Sequence, residues 1–159
     1  MSATDSGSTV LAPGTKVHEF KLATENGESF TQEDLPGKTT VLVFYPFAFS
    51  PVCTDQLQLY EQSLAEIKDQ GADIYGVSCD STWAQKAFRE KLGVSIPQLS
   101  DFEPKGTACR AFGVLHEGGF AQRALVIVGP DRIVRWSYQA PSPADLPPVH
   151  MIIGGLKNV

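Results

Sequence analysis

The sequence predicts an α/β fold: a central mixed β-sheet with helices on both faces, preceded by an N-terminal β-hairpin. Three observations carry this. Thr39 to Tyr45 (TTVLVFY) is a short apolar run rich in β-branched and aromatic residues, the composition of a buried strand. Directly behind it, Leu57, Tyr60, Leu64 and Ile67 recur at helical spacing and give one apolar stripe. Near the other end, Ala124 to Val128 and Ile133 to Tyr138 are joined through Gly129-Pro130-Asp131, which reads as a closing hairpin. Strand–helix crossovers make parallel neighbours that helices must cover, and a hairpin adds antiparallel ones, so the sheet is mixed.

The elements follow in order. Met1 to Thr15 is small and polar, which predicts a flexible leading segment; it lacks the basic and apolar regions of a signal peptide, so a cytoplasmic location is expected. In Val17 to Phe30, Phe20 and Leu22 alternate with polar residues before Asn26-Gly27 turns the chain, the pattern of a hairpin. The Thr39 to Tyr45 strand then hands over to a helix from Pro51 to Lys68. Ile74 to Ser78 is a second apolar run; Trp83, Ala87 and Leu92 mark a helix that Gly93 ends. Pro104 to Phe112 is read as another helix. After the closing hairpin, Pro141 to Pro148 is a proline-rich linker to a short helix over Val149 to Leu156. At 159 residues, 1–159 is expected to be one domain with a sizeable core.

Composition excludes several functions. The chain is 42% hydrophobic and 19% charged, with net charge −5 and no basic run, so neither nucleic acid nor an anionic membrane is an expected partner. No stretch approaches a transmembrane span. Three cysteines, an odd count, argue against a disulfide framework. Cys53, Cys79 and Cys109 are far apart in sequence without any Cys-x-x-Cys, and His18, His116 and His150 stand alone, so a metal site is not expected. His116-Glu117-Gly118-Gly119 begins like a metalloprotease helix but lacks its second histidine. There is no glycine-rich phosphate loop and no dinucleotide fingerprint, and no cofactor is called for.

The chemistry gathers at Pro46-Phe47-Ala48-Phe49-Ser50-Pro51-Val52-Cys53, where strand gives way to helix. Ser50 is a natural N-cap, and Pro51 suits the first helical position because its missing N–H would have been unpaired anyway. Cys53 then falls at the third helical position, among first-turn N–H groups that have no carbonyl partner and close to the positive end of the helix dipole. The thiolate is the nucleophilic form of cysteine, and a helix start favours it. The competing reading is a buried, inert cysteine; the strand, the Ser-Pro cap and the first-turn position together weigh against it. Ser50 stands where the partner of a Cys-x-x-Cys would be, so a dithiol–disulfide exchanger is disfavoured, and none of the three histidines can be assigned as the base of a cysteine hydrolase.

Pro46-(three residues)-Ser50-(two residues)-Cys53 resembles the peroxiredoxin motif, proline-x-x-x-threonine/serine-x-x-cysteine. Leu35-Pro36-Gly37-Lys38, Gly76-Val77-Ser78-Cys79-Asp80, Leu99-Ser100-Asp101-Phe102, Ala111-Phe112-Gly113-Val114 and Gln122-Arg123 with the following strand resemble the family in the same order, over roughly Val17 to Tyr138. The match looks closest to the one-cysteine alkyl hydroperoxide reductase E type. The resemblance implies a thioredoxin-like fold and a peroxidase acting on hydrogen peroxide and organic hydroperoxides. Cys53 would be its nucleophile, with Ser50 bonding the sulfur–peroxide pair. Pro46 would shield the thiolate, and Arg123 would supply a fixed cation to it and to a peroxide oxygen. Oxidation would leave a sulfenic acid on Cys53 that a second thiol must resolve. Gln58 occupies the position where the bacterioferritin-comigratory type often carries its resolving cysteine, and no cysteine follows Cys109. The expectation is a one-cysteine cycle recycled by an external thiol: a thioredoxin-like or glutaredoxin-like protein, or a low-molecular-weight thiol. A two-cysteine cycle through Cys79 and a peroxide-sensing interaction protein are the alternatives. The resemblance also implies a homodimer; Phe49, Trp83 and Trp136 suit either a core or such an interface.

Overall fold

The computed structural model describes residues 9–158. Its hub is the predicted central strand, β3 (Thr39–Phe44), flanked by β1 (Lys21–Thr24), β2 (Ser29–Thr31), β4 (Ala72–Ser78), β5 (Gln98–Ser100), β6 (Ala124–Val128) and β7 (Val134–Gln139). These make one seven-stranded sheet in the order β2-β1-β5-β4-β3-β6-β7. β3 pairs in parallel with β4 and antiparallel with β6, and β4 pairs in parallel with β5; the sheet is mixed, as predicted. The N-terminal hairpin is present in a shorter span, with Leu22 opposite Phe30 and Gly27 at φ +82° in its turn.

Side chains alternate across β3, and this alternation divides the core. Leu42 and Phe44 point to one side, with Phe20, Cys79, Cys109 and Phe112. Val41, Val43 and Tyr45 point to the other, with Cys53, Leu57, Tyr60 and Phe88. Helices cover both faces, unevenly. The second face receives α1 (Pro51–Glu61), α2 (Leu64–Asp69), α3 (Thr82–Leu92) and α5 (Val149–Lys157). The first receives the short α4 (Thr107–Ala111) and the incoming chain around Val17 and Phe20.

Several boundaries differ from expectation. The helix predicted from Pro51 to Lys68 is two helices, because the Gln62 and Ser63 N–H groups bond three residues back, to Leu59 and Tyr60, and Ser63 leaves helical geometry at φ −108°, ψ 12°. The apolar stripe runs through the break because Leu57, Tyr60 and Ile67 pack into the same layer. α4 begins three residues later than Pro104, where the Asp101 carboxylate accepts the Ala108 and Cys109 N–H groups at 3.0 and 2.8 Å. β5 is an addition: three residues are too few to show a period. Of the leading segment expected to be flexible, residues 1–8 lie outside the described residues. Leu11 and Gly14 are held to the core, their N–H groups bonding the Phe112 and Val134 carbonyls at 3.0 and 2.8 Å.

Candidate active site

The chain leaves β3 through Tyr45, whose N–H still bonds the Val77 carbonyl at 2.9 Å, and enters the Pro46–Ser50 turn. Phe49 sits there at φ +71°, a left-handed conformation that a bulky residue adopts only when its surroundings hold it. Two contacts do so: the Ala48 N–H donates to Asp80 Oδ2 at 2.7 Å, and the Phe49 ring packs 5.1 Å from that of Phe88. Asp80 is steadied in turn by the Ser78 hydroxyl at 2.8 Å. The turn delivers Ser50 at φ −70°, ψ 151°, an N-cap backbone, and Pro51 opens α1. The first closing bond of the helix runs from the Thr54 N–H to the Ser50 carbonyl at 2.9 Å. The N–H groups of Val52 and Cys53 therefore belong to the set a helix start leaves without intrahelical partners.

Cys53 is fully buried on the inner face of α1. Arg123, just ahead of β6, reaches it: Nη2 lies 3.1 Å from Cys53 Sγ. The guanidinium is itself buried, at 2% exposure, and each of its nitrogens is placed. Nε donates to the Pro143 carbonyl at 2.7 Å, and Nη1 donates to Gln56 Oε1. Gln56 Nε2 passes the network to the Tyr60 hydroxyl at 3.2 Å, which donates to the Pro147 carbonyl at 2.6 Å. Burial pushes the Tyr60 phenol up to about 12, so it remains a donor at neutral pH. Among the described residues, the carboxylates form ion pairs with Lys38, Arg89, Arg132 and Arg135, and none with Arg123. A buried cation without a carboxylate calls for a negative partner nearby. Its contacts are two neutral carbonyl oxygens, of Pro143 and Gln56, and the Cys53 sulfur.

A pocket of about 320 Å³ opens onto this group, walled by Pro46, Phe47, Pro51, Val52, Phe120 and Pro143, with Arg123 as its charged element. The Phe47 and Phe120 rings pack in a tilted pair, centroids 4.8 Å apart, at its edge. A larger cleft, about 400 Å³, lies beside Thr24, Tyr75 and Gln98, but its cation Arg89 is already paired with Glu25 at 2.6 Å.

The structure thus sets Arg123 against Cys53 and places Pro46 in the wall of the pocket that Arg123 lines. Ser50 differs from expectation: its hydroxyl makes no cap and donates instead to the Phe47 carbonyl at 3.0 Å, which pins the turn. Cys79 is not brought to Cys53. It lies on the opposite face of the sheet, its sulfur 3.9 Å from that of Cys109. Far apart in sequence, these two cysteines meet in space, with an Asp101 oxygen within 4.8 Å of both. Gln56, Tyr60 and Asp80 were not anticipated. Gln56 had a signal: a polar residue one turn after Cys53, on the apolar stripe that carries Leu57 and Tyr60. Pro143, expected in a linker, supplies a carbonyl to the site.

A cysteine is thus held against a buried guanidinium at the start of a helix, on a mixed seven-stranded sheet. Residues 13–137 match the model of the AhpC/TSA family. Alkyl hydroperoxide reductase C of Amphibacillus xylanus is 36% identical over 129 residues, which cover 77% of this chain and 69% of that protein. Its Bacillus subtilis counterpart is 35% identical over 130 residues, covering 77% and 68%. Among solved structures, Enterococcus faecalis AhpC matches with a TM-score of 0.83 at 28% identity, over 91% of this chain and 90% of that one. The peroxidoxin BcpB of Mycobacterium tuberculosis matches at 0.80 and 25%, over 94% and 98%. The chain belongs to the AhpC/TSA family of peroxiredoxins.

Proposed function

We propose that this protein reduces hydrogen peroxide and organic hydroperoxides through Cys53 and is recycled by an external thiol. The observation that carries the reading is the contact between Arg123 and the Cys53 sulfur at 3.1 Å, both groups buried. The thiolate attacks one peroxide oxygen, an S–O bond forms as the O–O bond breaks, and the electron pair leaves on the other oxygen. That oxygen departs as hydroxide or alkoxide and takes up a proton to become water or an alcohol. The Arg123 guanidinium and the Val52 and Cys53 N–H groups face the charge that develops there, and they need no reorganisation to do so. Pro46 walls the sulfur from water without adding a donor, and Ser50 keeps its oxygen lone pairs free to accept from a peroxide proton. The apolar walls of the pocket suit the organic group of an alkyl hydroperoxide.

The sulfenic acid on Cys53 is then attacked by an external thiol, releasing water and leaving a mixed disulfide, and a second thiol frees the enzyme. Cys79 on the far face of the sheet favours this one-cysteine cycle over an internal one. Three free thiols suit a reducing compartment, the cytoplasm. Phe47 and Phe49, each about half exposed beside the site, suit a homodimer that meets around this loop.

Stopped-flow mixing of the reduced protein with hydrogen peroxide and with an alkyl hydroperoxide tests the reading, alongside Cys53→Ser. The expected result is rapid addition of one oxygen at Cys53 in the wild-type protein and an inert variant. Reaction no faster than that of free cysteine would sink the peroxidase reading. A Cys53–Cys79 disulfide in the quenched sample would replace the one-cysteine cycle.

A further inference from the structure

The peroxidase reading leaves two of the three cysteines unused. Cys79 follows the last residue of β4, and Cys109 lies in α4; both belong to the core on the opposite face of the sheet from Cys53. Their sulfurs are 3.9 Å apart and hydrogen bonded to each other across a sequence gap of 30 residues. An S–S bond is about 2.05 Å long, so closure asks each sulfur to move by about 1 Å, less than a change of side-chain rotamer provides. The backbone at both ends is fixed. Asp101 ties the Cys109 N–H to its carboxylate at 2.8 Å, and its own N–H bonds the Ser78 carbonyl, next to Cys79, at 2.8 Å. One aspartate therefore spans the two elements that carry the thiols.

We propose that Cys79 and Cys109 form a second redox centre, a dithiol that closes to an intrachain disulfide when a hydroperoxide oxidises it. The two thiols have different roles. Cys79 retains 7% exposure and Cys109 none, so Cys79 meets the oxidant first. Its contact with Cys109 also lowers the Cys79 thiol below its ordinary range, while the same contact and burial raise that of Cys109. The Cys79 thiolate attacks the peroxide, gaining one oxygen and releasing an alcohol or water. The Cys109 sulfur then attacks the sulfenic sulfur, hydroxide leaves, and the Cys109 proton completes the water. Two thiols and one hydroperoxide become one disulfide, one alcohol and one water. Asp101, within 4.8 Å of both sulfurs, is placed to take the Cys109 proton in passing; burial raises its carboxyl above the usual carboxylate range, which suits that task.

The test uses full-length Cys53→Ser, which lacks the nucleophile of the proposed peroxidase, so the two readings fail separately. The protein is treated with excess hydrogen peroxide, denatured, alkylated and digested without reduction. The expected result is paired loss of both alkylatable thiols and a linked Cys79–Cys109 peptide two hydrogens lighter, which dithiothreitol separates. Adding Cys109→Ser should abolish the link and leave Cys79 as a sulfenic acid, trapped by dimedone. Two free thiols after oxidant sufficient to consume dithiothreitol would overturn the proposal. So would a link between chains, or one equivalent of added zinc binding in a form that blocks alkylation of both thiols.

Discussion

Arg123 joins three parts of the chain: α1, the approach to β6 and the proline-rich segment before α5. Its planar fork holds Cys53, Gln56 and Pro143 at once. A lysine offers one rotatable ammonium and cannot serve three fixed acceptors. Arg123→Lys should therefore slow oxidation of Cys53 by about 10²–10³-fold in stopped-flow, the usual cost of losing a preorganised donor to developing charge. It should also lower urea stability by about 1–3 kcal/mol, because the buried Gln56 amide loses its partner. At this scale the position of Cys53 in the first turn of α1 was legible, since strand, Ser-Pro and helix register are local. It could not show the reach of Arg123, 70 residues away, because a side chain's destination depends on which strands pair. The Ser50 hydroxyl was misread for a related reason: the cap position was legible, but the turn at Phe49 aims the side chain at the Phe47 carbonyl instead.

Among the elements, α5 shows how packing discriminates between neighbours that sequence treats alike. Gly154 and Gly155 stand side by side in that helix. A Cβ on Gly154 would meet open space, whereas one on Gly155 would come within 2.8 Å of Ile127 and 2.9 Å of Trp136. Gly154→Ala should raise stability by up to about 1 kcal/mol through helix propensity. Gly155→Ala should lower it by about 1–3 kcal/mol through overpacking against β6 and β7. Urea denaturation of both variants separates the two effects, and equal shifts would contradict this docking. Element type was legible wherever a period had room to develop: β3, α3, the closing hairpin and α5 all stand near their predicted spans. The break between α1 and α2 was not legible, because the apolar stripe continues across it.

For the whole molecule, the buried phenols set an alkaline limit. Burial raises both Tyr45 and Tyr60, the latter to about 12, while an unfolded tyrosine ionises near 10. A raised phenol contributes stability that is complete below the unfolded value. Above about pH 10 the unfolded chain gives up these protons while the native one keeps them, so stability falls as pH rises. The urea midpoint should accordingly decline above about pH 10, and Tyr60→Phe should decline less steeply. An unchanged slope in the variant would show that Tyr60 is not the group responsible.

What the sequence determined by itself was local and periodic: a mixed α/β sheet, the strand-to-helix hand-over, and a cysteine placed by its register at a helix start. Such features arise from neighbours along the chain, whose geometry the backbone dictates. Tertiary structure alone decided the partners. It set a guanidinium against Cys53, ran Gln56 and Tyr60 behind it, and paired Cys79 with Cys109 on the other side of the sheet. Strand order and the alternation of side chains across β3 and β4 make those choices, and they exist only once the sheet has formed.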